Sequence, residues 1–316
     1  MLKTRMGRTA SLSLFLMGTV ALSTISLPTY AVENTSTQAV TNVWDAWGVY
    51  DETSTQTVSH TPLTSTLKGI TIEERGRTSV AYIAIKGRVL DYVNAYIHAL
   101  ERVQVTSLNR DEQLAYWLNL HNIGILKLFA KNEKATRSVK KYRGTPDMPG
   151  AKWSEKIFTV QGQSLSLQDI EQNILFRHWK DPLIIYGLSY GVKGSPSIGT
   201  AAFSGKTVKA QLARNAREFI NSGKNIRAGR SVVRVSNLYI WNQESLFDGS
   251  EATILAHIQT YAKPRLAKKL ASASSISKNR FNWTSNAFTP RAAPVYQGAQ
   301  TRSGSGRGGG SFGGGS

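Results

Sequence analysis

The sequence predicts an α+β fold: a single mixed domain with a buried central helix and a small, mainly antiparallel sheet. Hydrophobic residues make up 41% of the 316 residues and aromatic residues 9%, which is enough to fill a core. Short β-type runs and amphipathic helical patterns are mixed, without the regular strand–helix alternation of a parallel sheet. One helical pattern, near residue 120, is apolar almost all round, which indicates a helix buried on every side.

The first elements of this domain have clear local signals. Residues 80–85 form a short β-type run, and apolar residues at three- and four-residue spacing predict a helix over 88–102. The central helix is expected to begin after Asn109, a favourable N-cap with Glu112 as its reciprocal partner. The basic stretch 131–156 contains glycines and prolines and is typical of a long surface loop.

Later elements follow the same rules. Residues 157–161 predict a strand that turns at Gly162, and Ser166 with Asp169 predicts a capping box at the start of the next helix. The apolar run 183–188 predicts a strand buried on both faces. The remaining predicted elements are a helix over 207–222, a strand over 232–235, and a helix over 254–261 that Pro264 kinks or ends.

The two ends of the chain differ in composition from its middle. A basic start, an apolar stretch over 10–27 and a small-residue site predict a signal peptide, residues 1–31, cleaved after Ala31. The polar residues 32–74 predict an N-terminal arm, and the patterned domain covers 75–270. Residues 271–316 hold nine of the 27 glycines and predict a disordered, basic, Gly/Ser-rich tail. We therefore expect a periplasmic or secreted protein, with no membrane span after cleavage.

Three segments of the domain resemble the DUF547 family, whose function is unknown. Residues 114–122 (LAYWLNLHN) resemble its A-F-W-I-N-L-Y-N helix, and residues 166–175 (SLQDIEQNIL) resemble its S-L-D-D-I-E-x-x-I-L segment. Residues 181–196 resemble its D-P-R-I-H-F-A-L-N-C-G-A-x-S-C-P segment. The three segments stand in the family's order, and the resemblance covers residues 75–265.

The chain departs from the family pattern at several positions. Tyr190 and Ser195 stand where the pattern has two cysteines, and the chain contains no cysteine. Ile185 stands where the pattern often has histidine, and His121 replaces a tyrosine. The segment that begins at Trp241 (WNQESLF) matches the family's W-Y-x-x-D-F segment only in part. Thiolate catalysis, disulfides and a thiolate zinc site are therefore excluded. The resemblance implies a divergent member, which we expect to be non-catalytic.

Eight residues are candidates for a pocket in this domain. Asn119, His121 and Asn122 lie within one turn of the buried helix, so they either pin loops to it or form a pocket floor. Glu171 is the freer carboxylate of its segment, and its expected partner is Arg177 or a cation of the basic stretch. The complete candidate set is Asn119, His121, Asn122, Glu171, Ser189, Tyr190, Ser195 and Trp241.

A hydrolase is the alternative to a binding role. The Gly-Leu-Ser-Tyr-Gly motif around Ser189 matches the G-x-S-x-G nucleophile elbow, and Asp248 and His257 follow in the order serine, acid, histidine. However, Pro196 interrupts the helix that such an elbow requires. A pocket around His121 is the other enzymatic alternative.

The charge of the chain favours binding to polyanions. There are 39 Lys and Arg against 20 Asp and Glu, a formal net charge of +19. No acidic residue follows Glu251, whereas nine cations do. For an exported protein, the expected partners are anionic envelope polymers or extracellular polyanions.

The five histidines are dispersed and no glycine-rich phosphate loop precedes a helix, so no metal, cofactor or specific nucleic-acid module is predicted. The leading hypothesis is a non-catalytic binding or envelope-associated module, with a structural role in a secreted matrix left open.

Overall fold

The chain adopts an α+β fold, as the sequence predicts. The computed structural model describes residues 42–74, 77–131, 139–144, 150–279 and 281–289. The helices in this part of the chain are α1 (Thr61–Ile70), α2 (Arg88–Glu101), α3 (Arg110–Ala130), α4 (Val139–Arg143), α5 (Phe176–Trp179), α6 (Val208–Asn221), α7 (Asn237–Trp241), α8 (Gln243–Leu246), α9 (Glu251–Tyr261) and α10 (Pro264–Leu270). A π-helix, Asp169–Leu175, runs directly into α5, and 3₁₀ helices lie at Asp45–Gly48, Tyr82–Ala84, Val105–Ser107 and Pro182–Gly187.

The described strands form three small sheets, where the sequence predicted one. The strands are β1 (Thr71–Glu74), β2 (Arg77–Val80), β3 (Phe158–Val160), β4 (Gln163–Leu165), β5 (Ile226–Ala228), β6 (Val232–Ser236) and β7 (Ser275–Asn279). β1 with β2 and β3 with β4 are antiparallel hairpins. In the third sheet, β6 pairs antiparallel with β5 and parallel with β7, so antiparallel pairing predominates as expected.

Helix α3 is the centre of the core, as its apolar sequence predicts. Sixteen of its 21 residues are buried. The side chain of Asn109 accepts a hydrogen bond from the backbone N–H of Glu112 at 3.0 Å, which is the predicted cap. Glu112 does not reciprocate. Its carboxylate accepts instead from the backbone N–H groups of Val58 and Gly205, both at 2.8 Å, and so ties two loops to the start of α3.

The apolar run 183–188 is not the predicted strand. It lies in the 3₁₀ helix Pro182–Gly187, and most of its side chains are buried. The Asp181 side chain accepts a hydrogen bond from the backbone N–H of Leu183 at 2.8 Å, and the proline occupies the first helical position. This cap and the fixed backbone of proline favour the helix over the extended form, which hydropathy alone does not reveal.

The stretch predicted as an arm, residues 32–74, contributes regular structure over its described part. Helix α1 buries its apolar side in the core. β1 pairs with β2 in a register that places Thr71 opposite Val80. The strand predicted over 80–85 therefore ends at its first residue, and the chain turns into a 3₁₀ helix. No helix in the described ranges combines the length and apolarity of a membrane span.

The fold also continues past residue 270, where the sequence predicted a disordered tail. β7 pairs with β6, and Asn286 is buried, with its side-chain oxygen accepting from the Tyr82 hydroxyl at 2.9 Å. Phe281 and Trp283 also pack against Trp241, with ring centres 4.8 and 5.7 Å from it. The low overall hydropathy of this segment conceals these few contacts. The rest of the predicted tail, 290–316, and the predicted signal peptide, 1–31, lie outside the described residues.

Candidate functional site

Glu171 lies at the centre of a buried group of side chains, which we call the Glu171 cluster. Its Oε1 accepts a hydrogen bond from Trp153 Nε1 at 2.6 Å and lies 3.0 Å from Nε2 of His121. Its Oε2 accepts from Arg143 Nη2 and from the Tyr190 hydroxyl, both at 3.3 Å. All five side chains are at most 4% exposed. The carboxylate therefore has four polar neighbours and almost no contact with solvent.

Local sequence explains how the carboxylate reaches this position. Ser166 Oγ accepts from the backbone N–H of Asp169 at 3.1 Å, and the Asp169 carboxylate accepts from the backbone N–H of Ser166 at 2.7 Å. This is the predicted capping box, and it starts the π-helix that carries Glu171. His121 meets it from α3, which crosses the core.

Arg143 and Trp153 were missed by the sequence analysis. Both belong to the stretch 131–156, which was predicted to be a surface loop, yet both are buried. Arg143 ends the short helix α4, and its guanidinium carbon lies 3.9 Å from the centre of the Tyr190 ring and 5.4 Å from that of Trp241. A tryptophan within an otherwise cationic stretch was the available signal, because such a side chain needs an apolar surface.

The expected partner of Glu171 was Arg177 or a cation of the basic stretch. Arg143 is that cation. Arg177 instead forms an exposed ion pair with Asp45. The second half of the prediction is therefore confirmed, and the first half is wrong.

The charges in the Glu171 cluster are balanced. Burial alone would raise the pKa of Glu171. The positive charge of Arg143 and the hydrogen bonds from His121 and Trp153 lower this pKa by more than burial raises it, so the pKa falls below its usual range. Burial would lower the pKa of Arg143, but Tyr190 and Glu171 raise it. Burial and the nearby carboxylate raise the pKa of Tyr190, which keeps the phenol neutral and able to donate. The cluster is thus a buried ion pair with its polar atoms largely satisfied.

Two asparagines of α3 hold loops, which is the structural role that the sequence allowed. Asn119 exchanges two hydrogen bonds of 2.9 Å with the backbone of Phe203. Asn122 donates to the carbonyl of Gly187 at 2.8 Å and accepts from the backbone N–H of Ser189 at 3.1 Å. Because each asparagine both donates to and accepts from a loop backbone, both are positioning residues for the loops that they hold.

The serine, aspartate and histidine of the hydrolase alternative make separate contacts. Ser189 is 1% exposed, and its Oγ accepts from the backbone N–H of Gly191 at 3.4 Å. Asp248 is exposed at a turn, whereas Nε2 of His257 lies 2.9 Å from the Tyr186 hydroxyl. Among the described contacts, none joins these three residues. The hydrolase prediction gains no support from this geometry.

His60 and His257 lead to a prediction about acid stability. Burial lowers the pKa of each side chain from 6.5 to about 4. Between these pH values the unfolded chain binds more protons than the folded one, so stability is present above pH 6.5 and is lost as the pH falls towards 4. Each histidine contributes at most about 1.4 kcal/mol per pH unit. Urea unfolding at pH steps across this range should show a shallower slope for His257→Gln than for the wild type. Equal slopes would contradict the assignment.

The loop after Ser189 connects the Glu171 cluster to an open cleft. The backbone N–H of Tyr190 donates to Ser195 Oγ at 3.2 Å. On the other side of this loop, Val192, Lys193 and Ser195 line a cleft of about 1060 Å³. The chain near residue 284 holds this loop in place, because the backbone N–H of Lys193 donates a hydrogen bond to the carbonyl of Thr284 at 2.8 Å. One side of the loop is therefore core and the other is accessible surface.

Positive charge predominates in this cleft, which we call the cationic cleft. Its charged lining consists of two carboxylates, Glu74 and Glu218, and five cations, Arg77, Lys193, Arg217, Lys224 and Lys263. Arg77 is held in place by a hydrogen bond from its guanidinium to the carbonyl of Lys193. The remaining lining is almost entirely hydroxyl and amide side chains.

A smaller cleft extends the positive surface. It measures about 450 Å³ and shares Arg77, Lys193 and Lys224 with the cationic cleft. It also includes Arg227, which lies directly opposite Arg234 in the β5–β6 register. No ion pair within the described residues neutralises either arginine. Like charges directly opposite each other destabilise a sheet, so this pair of arginines costs stability.

Comparison with known proteins gives one match. The family model described as "Protein of unknown function, DUF547" matches residues 105–220. Residues 105–220, which we call the DUF547 segment, are therefore similar to this family. No curated protein and no solved structure matches the chain. The DUF547 segment contains the Glu171 cluster and two cations of the cleft, Lys193 and Arg217, whereas the other three cations, Arg77, Lys224 and Lys263, lie outside it.

The eight candidate residues can now be placed. His121, Glu171 and Tyr190 meet in the Glu171 cluster, Ser195 bonds the backbone of Tyr190, and Trp241 lies against Arg143. Asn119, Asn122 and Ser189 lie outside the cluster. All except Trp241 are at most 3% exposed, and Ser195 also lines the cationic cleft. No group of three or more metal-ligating side chains occurs among the described residues.

Proposed function

We propose that this DUF547 protein is an exported, non-catalytic module that binds anionic polymers of the cell envelope or its surroundings. The observation that carries the proposal is the cationic cleft, with five cations against two carboxylates. Lys193, Arg217 and Lys263 are exposed, and no described ion pair neutralises them. An open cleft with a net positive lining concentrates anions and orients their approach.

The non-catalytic part of the proposal is supported by the state of the Glu171 cluster. A general acid or base must come within hydrogen-bond reach of its substrate. His121 is fully buried, and Glu171 is 2% exposed with four polar neighbours. The chain also has no cysteine to supply the thiolate that the resemblance to its family suggests.

Export is supported by the sequence of residues 1–31, which has the basic, apolar and small-residue regions of a signal peptide. We place the mature protein in the periplasm or the extracellular space. Three cations beyond the described residues, Arg291, Arg302 and Arg307, add to the attraction of a polyanion, because no acidic residue accompanies them.

Retention on immobilised heparin tests the binding site. The cleft variant carries Lys193→Gln, Arg217→Gln and Lys263→Gln. The control variant carries Lys68→Gln, Lys86→Gln and Arg88→Gln, which remove the same charge from exposed residues that do not line the cleft. We expect the cleft variant to elute at a clearly lower salt concentration than the control variant, because local charge decides contact with the polymer. Equal elution of the two variants would contradict the proposal.

A third variant separates the cleft from the C-terminal charges. Full-length protein with Arg291→Ser, Arg302→Ser and Arg307→Ser keeps every described residue. We expect its elution to fall between those of the wild type and the cleft variant, since these residues add attraction without forming the site. If this variant loses all retention while the cleft variant keeps it, the tail and not the cleft holds the polymer.

A further inference from the structure

We propose that the smaller cleft beside the cationic cleft is a binding site for a phosphate monoester, a phosphate group attached through one oxygen. This inference rests on the proposed function, because the two clefts share Arg77, Lys193 and Lys224. It adds a separate site within the positive surface and the chemical class of the group that this site takes.

The two clefts differ in their balance of charge. The cationic cleft has five cations and two carboxylates along about 1060 Å³. The smaller cleft has four cations, which are the three shared ones and Arg227, and no carboxylate is among its described lining residues. These four cations line a volume of only about 450 Å³. The smaller cleft therefore has the higher density of uncompensated positive charge.

Three of the four cations lack an anionic partner within the part of the chain that the structure describes. Arg77 donates a hydrogen bond to the carbonyl of Lys193 and forms no ion pair there. Lys193 and Arg227 are exposed, and neither side chain belongs to a described ion pair. The charges of these three side chains are therefore available to an anion that enters the cleft.

Regular structure and a close backbone contact fix the walls of the smaller cleft. Arg77 lies on β2 and Arg227 on β5. The backbone N–H of Gly194 donates to the carbonyl of Asn282 at 2.9 Å, and a Cβ at position 194 would lie 2.8 Å from this backbone. The buried ring of Phe281 completes this side of the lining. A cleft whose walls are held in this way loses little conformational entropy when a ligand binds.

A phosphate monoester matches this lining better than a carboxylate or a phosphate diester. Four cations in one small cleft repel one another, and a bound anion offsets this repulsion in proportion to its charge. A carboxylate or a diester brings one negative charge, whereas a monoester brings about 1.5 to 2 at pH 7, on three acceptor oxygens. The guanidinium groups of Arg77 and Arg227 have the planar fork that donates paired hydrogen bonds to such oxygens.

Two sources supply this chemistry, a polymer that carries phosphate monoesters and free inorganic phosphate. Because three cations line both clefts, a polymer whose phosphate enters the smaller cleft also lies beside the cationic cleft. Arg217 and Lys263 of the cationic cleft are then partners for the other charges of that polymer. We therefore assign the smaller cleft to a phosphate monoester of a polymer.

Calorimetric titration of the full-length chain with three small anions at pH 8 tests the chemical class. Methyl phosphate carries two charges, whereas dimethyl phosphate and acetate carry one each. We expect methyl phosphate to bind roughly tenfold more tightly than the other two. At pH 5 methyl phosphate loses its second charge and this advantage should disappear, while the affinity of dimethyl phosphate stays the same. Equal affinities of the three anions at pH 8, or no binding of methyl phosphate, would overturn the inference.

Arg227→Gln locates the site, because Arg227 lines the smaller cleft and not the cationic cleft. The matched control is Arg230→Gln, which removes the same charge from an exposed residue in the turn between β5 and β6 that lines neither cleft. We expect Arg227→Gln to weaken binding of methyl phosphate roughly tenfold and Arg230→Gln to leave it unchanged. Equal affinities of these two variants would count against the site. Because Arg227 faces Arg234, its replacement removes a like-charge contact and should not cost stability.

A double variant, Arg217→Gln with Lys263→Gln, distinguishes the two sources, since both residues line the cationic cleft alone. We expect it to bind phosphorylated dextran more weakly than the wild type and inorganic phosphate equally well. If it binds both as the wild type does, the site takes free phosphate and the assignment to a polymer is wrong. If it binds both more weakly, the phosphate lies in the cationic cleft and the inference is overturned.

Retention on heparin separates this inference from the proposed function. If methyl phosphate fails to bind while the cleft variant still elutes earlier than its control, the phosphate site is wrong and anion binding by the cationic cleft stands. If the cleft and control variants elute together, the proposed function itself fails.

Discussion

Replacing Glu171 with alanine should lower the free energy of unfolding by about 3–5 kcal/mol, as is typical when one partner of a buried ion pair is removed. The substitution leaves the Arg143 guanidinium buried without its counter-charge, and it removes the acceptor for Trp153 and Tyr190. Urea unfolding followed by tryptophan fluorescence measures the change. Glu155→Ala is the matched control, since Glu155 pairs with Lys152 on the surface, and it should cost less than about 1 kcal/mol.

A second pair of variants separates charge from packing in the Glu171 cluster. Glu171→Gln keeps the side-chain shape but leaves Arg143 unpaired. Adding Arg143→Met removes the unpaired charge, so the double variant should be more stable than the sum of the two single effects implies. Additive effects, or a loss below about 1 kcal/mol for Glu171→Ala, would contradict the buried ion pair.

The second large effect is expected at Gly191, in the turn between the Glu171 cluster and the cationic cleft. Its φ of +68° is unfavourable for residues with a Cβ, and a Cβ there would lie 1.9 Å from Cε2 of the buried Phe129 ring. Left-handed backbone costs about 1–2 kcal/mol and overpacking of a core about 1–3 kcal/mol. We therefore expect Gly191→Ala to destabilise the protein by about 2–5 kcal/mol in urea unfolding.

Gly162 supplies the matched control for this substitution. Its φ is +80°, but a Cβ there would have nothing within 4 Å. Gly162→Ala should therefore show the backbone cost alone, about 1–2 kcal/mol. If the two alanine variants are equally stable, the close approach of Phe129 to the turn is not a constraint on the loop. Because that loop carries Lys193, a displaced turn should also weaken retention on heparin.

Patterns that depend on neighbouring residues were predictable from the sequence. The Asn109 cap, the Ser166–Asp169 capping box and the all-round burial of α3 each follow from residues within one or two helical turns. The need of Asn119 and Asn122 for partners also followed, because a polar side chain in a buried helix must be hydrogen-bonded. The sequence left open whether they hold loops or form a pocket floor, and the identity of their partners required the fold.

Features that depend on distant residues were not predictable. The 131–156 stretch is basic enough to suggest solvent exposure, yet Arg143 is buried because Glu171, some 28 residues later, neutralises it. Glu112 looked like a capping partner, but two loops from elsewhere in the chain compete for its carboxylate. The cationic cleft draws its cations from β2, the 192–197 loop, α6 and the turn that follows it, and the N-cap of α10, and no local motif joins these segments.

Hydrogen–deuterium exchange on the full-length chain, with and without heparin, tests the central claim that the cationic cleft binds anionic polymers. We expect heparin to slow exchange in β2, in the 192–197 loop and at the C-terminal end of α6, while the β3–β4 hairpin exchanges at its original rate. Slowing that is confined to the C-terminal residues 290–316, or that is equal across the whole chain, would contradict binding in the cleft.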